Sequence, residues 1–356
     1  MNADRLTRRR FLCAASITAM ATRAPAQGFA GLGRASEDYA MPRRGEPLRF
    51  PADHGPHPRF RIEWWYLTAN LRDADGTDYG IQWTLFRSAL RPDDAGTGAW
   101  RSAQAWLGHA ALTTPELHRA DERFARGDIG QAGVTVTPFE ARIDDWSLSG
   151  PDFDRLDLRA AGPDFGYELA LTAEGPLVFH GDDGFSVKSA AGQASRYYSQ
   201  PFYRAEGVLR LPDREIAVTG RAWLDREWSS QPLAADQEGW DWFSLHLEGG
   251  AKLMGFQLRS ESGPAFTAAT HIAPDGTTEA FPDGAFSAEP LATAEVAGRD
   301  IPVRWRIALP ARGIDGTVEA LNPDAWNGLA FPYWEGPVRL SGSHDGIGYL
   351  EMTGYE

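Results

Sequence analysis

The stretch TGRAWLDREWSS, residues 219–230, has the alternation of side-chain types that predicts a β-strand with two different faces. Successive side chains of an extended chain point to opposite sides. One side of this strand carries Trp223, Asp225 and Glu227. The other side carries Leu224, Arg226 and Trp228. The segment GWDW (239–242) follows closely, so this part of the chain is rich in both indoles and carboxyl groups.

Asp225 is the candidate proton donor of this stretch. A carboxyl group walled by indole rings is poorly solvated, so its neutral form is favoured and its pKa rises. Such a group can donate a proton near neutral pH. The alternative interpretation is structural: Asp225 and Arg226 belong to an ion-pair network at a strand end, and the tryptophans are core. The two interpretations differ in whether an arginine lies against the Asp225 carboxyl, because a salt bridge would lower its pKa.

The composition predicts a mostly β protein. The 356 residues include 38 glycines, 24 prolines and 13 tryptophans, and aromatic residues reach 12%. This mixture suits short strands joined by tight turns better than long helices. The length is sufficient for two domains. The formal net charge of −14 makes nucleic acid and anionic membrane surfaces poor candidates as partners.

Residues 1–26 have the features of a twin-arginine signal peptide rather than of a folded segment. TRRRFL (7–12) contains the arginine pair, residues 11–22 are weakly apolar, and APA (24–26) offers a cleavage site. We therefore expect export by the twin-arginine route, to the periplasm or as a secreted protein. Residues 27–48 are expected to form a linker or an N-terminal wrap. No later run of about 20 apolar residues occurs, so no membrane-spanning segment is expected.

The segment EWWYLTANL (63–71) predicts a strand, DADG (73–76) a turn, and YGIQWTLFR (79–87) the returning strand of a hairpin. Trp64 and Tyr66 share a face with a threonine and an asparagine. This mixture of rings and polar groups suits the wall of a cavity. Further short strands recur roughly every 8–12 residues, a spacing typical of sandwiches and barrels.

The second half of the chain repeats the first. WWYLTANL (64–71) aligns without gaps on WDWFSLHL (240–247), and each copy is followed by a Gly-containing turn and another strand. We therefore predict a duplicated β domain, with an N-terminal domain at 49–202 and a C-terminal domain at 203–356. Residues 115–132 are polar and amphipathic, which predicts a short peripheral helix.

No cofactor or metal is expected. His54 and His57 are three residues apart, but prolines on both sides of His57 argue against the helix that usually aims such a pair at a metal. Cys13, the single cysteine, lies in the predicted leader. The sequence contains no Gly-x-Ser-x-Gly, His-Glu-x-x-His or Gly-rich phosphate loop. Neither a hydrolase nor a nucleotide-dependent enzyme is therefore supported.

Several motifs recur together: DHGPHPRFRIEWWYLTANL (53–71), VTGRAWLDREWSS (218–230), GWDWFSLHL (239–247), YWEGPV (333–338) and GYLEMTGY (348–355). As a set they resemble the carotenoid 1,2-hydratase/AttH-like family over roughly residues 48–356. The resemblance implies two tandem lipocalin-like β-barrel domains with few short helices. Fungal intramolecular Diels–Alder cyclases look like distant members of the same fold.

The resemblance to the hydratases implies that Asp225 protonates an isolated C=C bond, with Glu227, Glu63 or Tyr198 holding the attacking water. The rings expected to bind the ligand and to stabilise a carbocation are Trp64, Tyr66, Trp223, Trp228, Trp242, Tyr333 and Trp334. The leader and Arg226 are more similar to the exported AttH-like branch. Members of that branch accompany ABC-transporter components, which implies a lipophilic cargo.

Two functions stay open. The first is an exported lipocalin-like carrier that binds a lipophilic small molecule between or within the barrels and hands it to an ABC transporter. The alternative is a cofactor-free hydratase or isomerase of the carotenoid 1,2-hydratase type, with Asp225 as its acid. The surroundings of the Asp225 carboxyl distinguish the two, since an apolar cavity without an arginine favours the acid and an arginine salt bridge favours a structural role.

Overall fold

The computed structural model describes residues 38–92, 102–231, 233–234, 236–261 and 263–355. The predicted signal peptide lies outside these residues, as does the first half of the predicted linker, residues 27–37. Within them the chain forms 23 strands in two antiparallel sheets. Helical structure in the same residues is confined to two single 3₁₀ turns, Ala52–His54 and Pro310–Arg312. The predicted mostly β fold with two barrel-like domains is confirmed.

The first sheet is a nearly closed barrel. Its strands follow the order β4-β3-β2-β1-β13-β12-β9-β8-β7-β6-β5, with β10 and β11 also pairing with β12. Their bounds are β1 Ile62–Arg72, β2 Asp78–Ala89, β3 Gln104–Thr113, β4 His118–Arg126, β5 Ala132–Val136, β6 Phe139–Ile143, β7 Trp146–Gly150, β8 Arg155–Ala161, β9 Gly166–Ala173, β10 Val178–Phe179, β11 Phe185–Val187, β12 Ala194–Leu211 and β13 Arg214–Ser229.

The second sheet is a half-barrel. Its strands follow the order β17-β16-β15-β14-β23-β22-β20-β19-β18, with β21 pairing with β22. Their bounds are β14 Gln237–Leu247, β15 Lys252–Ser260, β16 Phe266–Ile272, β17 Thr278–Phe281, β18 Ser287–Val296, β19 Arg299–Leu309, β20 Ile314–Ala320, β21 Trp326–Asn327, β22 Tyr333–Gly342 and β23 Gly346–Met352.

The two sheets share one connectivity. Each begins with a four-strand meander, β1 to β4 or β14 to β17, and in each the last strand returns to pair with the first. The repeated motif forms the first strand of both meanders. The boundary expected between residues 202 and 203 lies inside β12, and the sheets change between Ser229 and Gln237. The reason is that the hairpin β12–β13 closes the first barrel against β1 instead of opening the second.

Hydrophobic side chains form two barrel interiors and a third cluster between the sheets. Trp65 and Leu67 on β1 point into the first barrel, whereas Tyr66 belongs to the cluster between the sheets. Trp242 and Phe256 of the second sheet pack in that cluster as well. Strand alternation thus gives β1 and β13 one face in a barrel and the other at the junction of the two barrels.

The helix predicted at 115–132 is wrong. Its central part is strand β4, which pairs with β3 from Thr113 opposite His118 to Ala105 opposite Arg126. β4 lies at one end of the hydrogen-bonded order, and charged side chains are usual on such an edge. Pairing with β3 overrides the helical pattern. None of the described residues belongs to a helix long and apolar enough to cross a membrane.

Candidate functional site

A cavity of about 160 Å³ lies between the two sheets. Its walls are largely apolar, and aromatic rings from both halves of the chain contribute to them: Trp64, Tyr66 and Phe86 from the first sheet, and Trp240, Trp242 and Phe256 from the second. An engineered apolar cavity of about 150 Å³ holds one benzene molecule. This cavity therefore has room for one ring, or for the branched end of an aliphatic chain.

Asp225 lines this cavity from β13 and is almost fully buried. Tyr197 donates a hydrogen bond to its Oδ2 at 2.6 Å, and Trp223 Nε1 donates to its Oδ1 at 2.6 Å. The hydroxyl of Ser199 donates a third bond to Oδ1. No arginine or lysine forms an ion pair with Asp225 in the part of the chain that the structure describes. The arginine salt bridge that the structural interpretation requires is thus not formed.

Burial raises the pKa of Asp225 to about 7, and the charge of Glu227 acts in the same direction. The hydrogen bonds from Ser199, Tyr197 and Trp223 act against this rise, because each stabilises the carboxylate. The carboxyl is therefore partly protonated near neutral pH. A group of this kind can donate its proton into the cavity.

The hydrogen bonds around Asp225 extend to the second sheet. Ser199 stands opposite Asp225 on the neighbouring strand β12. His180 Nε2 lies 2.6 Å from Ser199 Oγ, and His180 Nδ1 lies 3.0 Å from Thr270 Oγ1 on β16. A continuous chain of hydrogen bonds therefore joins the carboxyl to the second half of the protein. The alternation of β12 also places Tyr197 on this side of the sheet.

Glu227 lines the same cavity but has different partners. Lys188 Nζ lies 2.9 Å from Glu227 Oε1, and the Ser195 hydroxyl donates to the same carboxylate. The Lys188 ammonium also lies over the rings of Tyr197 and Phe256, at 4.8 and 4.4 Å from their centres. Glu227 is thus held by a cation, whereas Asp225 is not.

Two carboxyl groups of the second sheet, from the half-buried Glu351 and the buried Glu335, were not among the predicted site residues. Glu351 on β23 lines the cavity, and its Oε1 accepts a hydrogen bond of 2.8 Å from Trp240 Nε1. Glu335 on β22 accepts a hydrogen bond of 2.5 Å from the Tyr66 hydroxyl. Burial raises the pKa of Glu351 to about 7 and that of Glu335 well above its ordinary value. Glu351 stands opposite Trp242 in the pairing of β23 with β14. Because this pairing joins strands far apart in sequence, no signal in the sequence indicates that Glu351 lies beside the predicted ring.

The predicted ring residues divide into two groups. Trp64, Tyr66, Trp242 and Tyr333 line the cavity, as predicted. Trp223 does not line it and instead donates a hydrogen bond to Asp225. Trp334 does not reach the cavity. It is fully buried in the second barrel, where its Nε1 donates to the carbonyl of Pro323 at 2.8 Å.

Tyr198 and Trp228 also do not reach the cavity, which corrects the prediction for both. They lie one residue out of phase with Tyr197 and Glu227, so they point into the first barrel. The Tyr198 hydroxyl lies 2.7 Å from His54 Nδ1, and Trp228 stacks on His57 with ring centres 3.8 Å apart.

Glu63, the other residue expected to hold water, lies in the first barrel as well. Its carboxylate forms ion pairs with Arg87 and with Arg226, the latter at 3.1 Å. Burial alone would raise the pKa of Glu63, but these guanidinium groups and a hydrogen bond from His57 hold it well below its ordinary value. The predicted ion-pair network of Arg226 therefore exists on the face opposite Asp225.

Nothing in the described residues provides an evident metal site: no group of three or more His, Cys, Asp or Glu side chains is arranged to hold an ion. His54 and His57 take part in the hydrogen bonds of the first barrel instead.

Comparison with known proteins gives one family. The sequence profile described as AttH-like matches residues 41–355. A crystal structure of a Nitrosomonas europaea protein assigned as an AttH is 34% identical, covers 89% of this chain and 100% of its own, and has a TM-score of 0.79. No curated protein sequence matches the chain.

Two more distant crystal structures share the fold. Kievitone hydratase from Nectria haematococca is 15% identical, covers 89% of this chain and 98% of its own, and has a TM-score of 0.68. CghA bound to Sch210972 is also 15% identical, covers 89% of this chain and 96% of its own, and has a TM-score of 0.53. At such identities the likeness concerns the fold alone.

Proposed function

The chain belongs to the AttH-like family, and from its site we propose that it adds water to an isolated, apolar C=C bond without a cofactor. Asp225 is the proton donor of this reaction. One observation carries the proposal: the buried Asp225 carboxyl, whose pKa is raised to about 7, opens into the cavity and forms no ion pair with any arginine or lysine among the described residues.

The first step is proton transfer from Asp225 to one carbon of the double bond. The O–H bond of the carboxyl breaks, a C–H bond forms, and a trisubstituted alkene becomes a tertiary carbocation. The ring faces of Trp64, Tyr66 and Trp242 line the space that this cation occupies. Each desolvated ring contact contributes ~0.5–2 kcal/mol of cation–π attraction. The Asp225 carboxylate left behind attracts the cation too, and this attraction is strong because Asp225 is almost fully buried.

The second step is attack of water on the cation, followed by loss of one proton from the bound water. The product is a tertiary alcohol. The distant likeness to kievitone hydratase shows only that a hydratase can have this fold. The support for hydration comes from the surroundings of Asp225.

A second candidate is the exported carrier, which the apolar cavity between the sheets also favours. In this version the protein leaves the cytoplasm through the twin-arginine signal at residues 1–26 and passes a lipophilic molecule to ABC-transporter components. Asp225 then contributes a hydrogen bond to the cargo and no proton. Export itself is compatible with both candidates.

The test uses 2-methyl-2-heptene, a small trisubstituted alkene whose branched end suits the cavity, in ¹⁸O-labelled water. We expect wild-type protein to form the labelled tertiary alcohol, detected by gas chromatography and mass spectrometry. Asp225→Asn should lose at least about 100-fold of this rate, since general acid catalysis contributes roughly 10²–10⁴-fold. The matched control is Asp157→Asn on the exposed side of β8, which should retain activity.

The outcomes separate the two candidates. Unchanged turnover in Asp225→Asn refutes the acid role. Probe binding without alcohol in the wild type, and equal binding by Asp225→Asn, supports the carrier.

A further inference from the structure

Addition of water needs a second group besides the acid, one that holds the water and takes its proton. Such a group must face the cavity and have a free oxygen or nitrogen lone pair. Tyr198 and Glu63 fail because they point into the first barrel. Glu227 also faces the cavity, but the Lys188 ammonium forms an ion pair with its Oε1, to which Ser195 donates as well. A nearby cation favours the ionised carboxylate and so makes it a weaker proton acceptor than an unpaired one.

Glu351 meets these requirements. It comes from β23 of the second sheet and lines the same cavity as Asp225. In the described part of the chain its hydrogen bond comes from Trp240 Nε1, to Oε1, and it forms no ion pair there. The second carboxylate oxygen is therefore free to accept a hydrogen bond from water. Glu335 is close by but does not line the cavity, and Tyr66 is bonded to it.

His109 also lines the cavity and is the remaining nitrogen base to consider. Its Nδ1 shares a hydrogen bond of 3.0 Å with the Tyr333 hydroxyl. Burial lowers the pKa of His109 to about 3, so its neutral ring is a weak proton acceptor. A carboxylate with a raised pKa accepts a proton from attacking water more readily.

We propose that Glu351 is the second catalytic carboxyl of this site, holding the attacking water and accepting its proton. The proposal rests on the hydration proposed above. Asp225 and Glu351 come from different halves of the chain, so the reacting carbon would lie between a group from each barrel.

The charges of the two carboxyls support this division of roles. The negative charge of Asp225 helps to raise the pKa of Glu351, and burial is the larger cause. Two carboxyls close enough to repel each other tend to share one proton at neutral pH, because the second ionisation is opposed by the first. One group is then neutral and the other ionised, as an acid and a base must be.

One catalytic cycle neither gains nor loses a proton at the site. Asp225 gives its proton to carbon, and water forms the C–O bond with its own electron pair. The proton released from this water goes to Glu351. Its return through solvent to Asp225 restores the starting state, and the net change is addition of one water molecule.

The experiment follows 2-methyl-2-heptene in D₂O with two readouts, deuterium in the recovered alkene and formation of the alcohol. Deuterium in the alkene reports protonation by Asp225 and return of the cation. In Glu351→Gln we expect a loss of alcohol formation of about 100-fold or more, while deuterium incorporation continues. Asp225→Asn should lose both. Glu335→Gln is the matched control and should retain alcohol formation within a few-fold.

Equal loss of both readouts in Glu351→Gln, or loss of neither, overturns the role of Glu351. A wild type that shows neither readout overturns the hydration proposal instead. In that case the pairing of the carboxyls is tested separately by ¹³C NMR titration of labelled glutamate. Asp225→Asn should move the titration of Glu351 to lower pH, and an unmoved titration refutes the shared proton.

Discussion

Replacing Asp225 by Asn should stabilise the protein at alkaline pH and not at acid pH. The asparagine side chain has nearly the same shape and carries no charge. Its amide oxygen can still accept from Trp223 and Ser199, whereas its amide nitrogen cannot accept the hydrogen bond of Tyr197. In the wild type, burial raises the Asp225 pKa from 3.8 to about 7. The folded protein therefore binds this proton more tightly than the unfolded chain does. The resulting stabilisation is fully present below pH 4 and is lost as pH rises through 7.

The size of the effect follows from the pKa. The interval from 3.8 to 7 corresponds to about 4 kcal/mol, at roughly 1.4 kcal/mol per pH unit. Asparagine does not ionise, so the variant does not lose this stabilisation at high pH. Its free energy of unfolding should therefore exceed that of the wild type by up to about 4 kcal/mol at pH 8.

Urea unfolding of both proteins at pH 4 and pH 8 is the appropriate assay, since other titrating groups are common to both. The reasoning would be refuted by an Asp225→Asn protein that is less stable than the wild type at pH 8, because this result would show a carboxylate stabilised by its surroundings.

Three further outcomes are expected. Tyr197→Phe removes a hydrogen bond to a carboxylate, worth about 1.5–3 kcal/mol, and should raise the pKa of Asp225 by about 1–2 pH units in ¹³C NMR titration. Alcohol formation in the wild type should fall as pH rises through about 7, where Asp225 loses its proton. In Tyr197→Phe the fall should occur at higher pH. A pH profile that is the same in both proteins contradicts the acid role. Arg226→Met should destabilise the fold by about 3–5 kcal/mol, since Glu63 loses a buried partner, whereas Arg204→Met at an exposed position should change stability by no more than about 0.5 kcal/mol.

The alternation of β1 and β13 was sufficient to predict one wall of the cavity. It placed Trp64 and Tyr66 on one face of β1 and Asp225 on one face of β13, and these faces meet at the junction of the sheets. Tyr198 was predicted to hold the attacking water and Trp228 to bind the ligand, although the alternation of β13 already placed Trp228 on the face opposite Asp225. A strict two-residue period along β13 would have excluded Trp228, whereas the choice of Tyr197 over Tyr198 also required the pairing of β12 with β13.

The contribution of the second half could not be derived in this way. Glu351 reaches the cavity because β23 pairs with β14, a contact between strands that are far apart in sequence. The domain boundary has a similar cause. Whether the hairpin β12–β13 closes one barrel or opens the next depends on its pairing with β1, and no local pattern reports this.

The two faces of strand β13 lie in environments of opposite character, so the fold depends on the register of this strand. Arg226 sits in a nest of carbonyl and carboxylate oxygens inside the first barrel, while Asp225 faces rings. Loss of a single residue early in this strand would exchange the two. A guanidinium group would then lie in the apolar cavity. A carboxyl group would enter the first barrel at the position where Glu63 needs a cation. Length variation in β13 should therefore be far less tolerated than substitution.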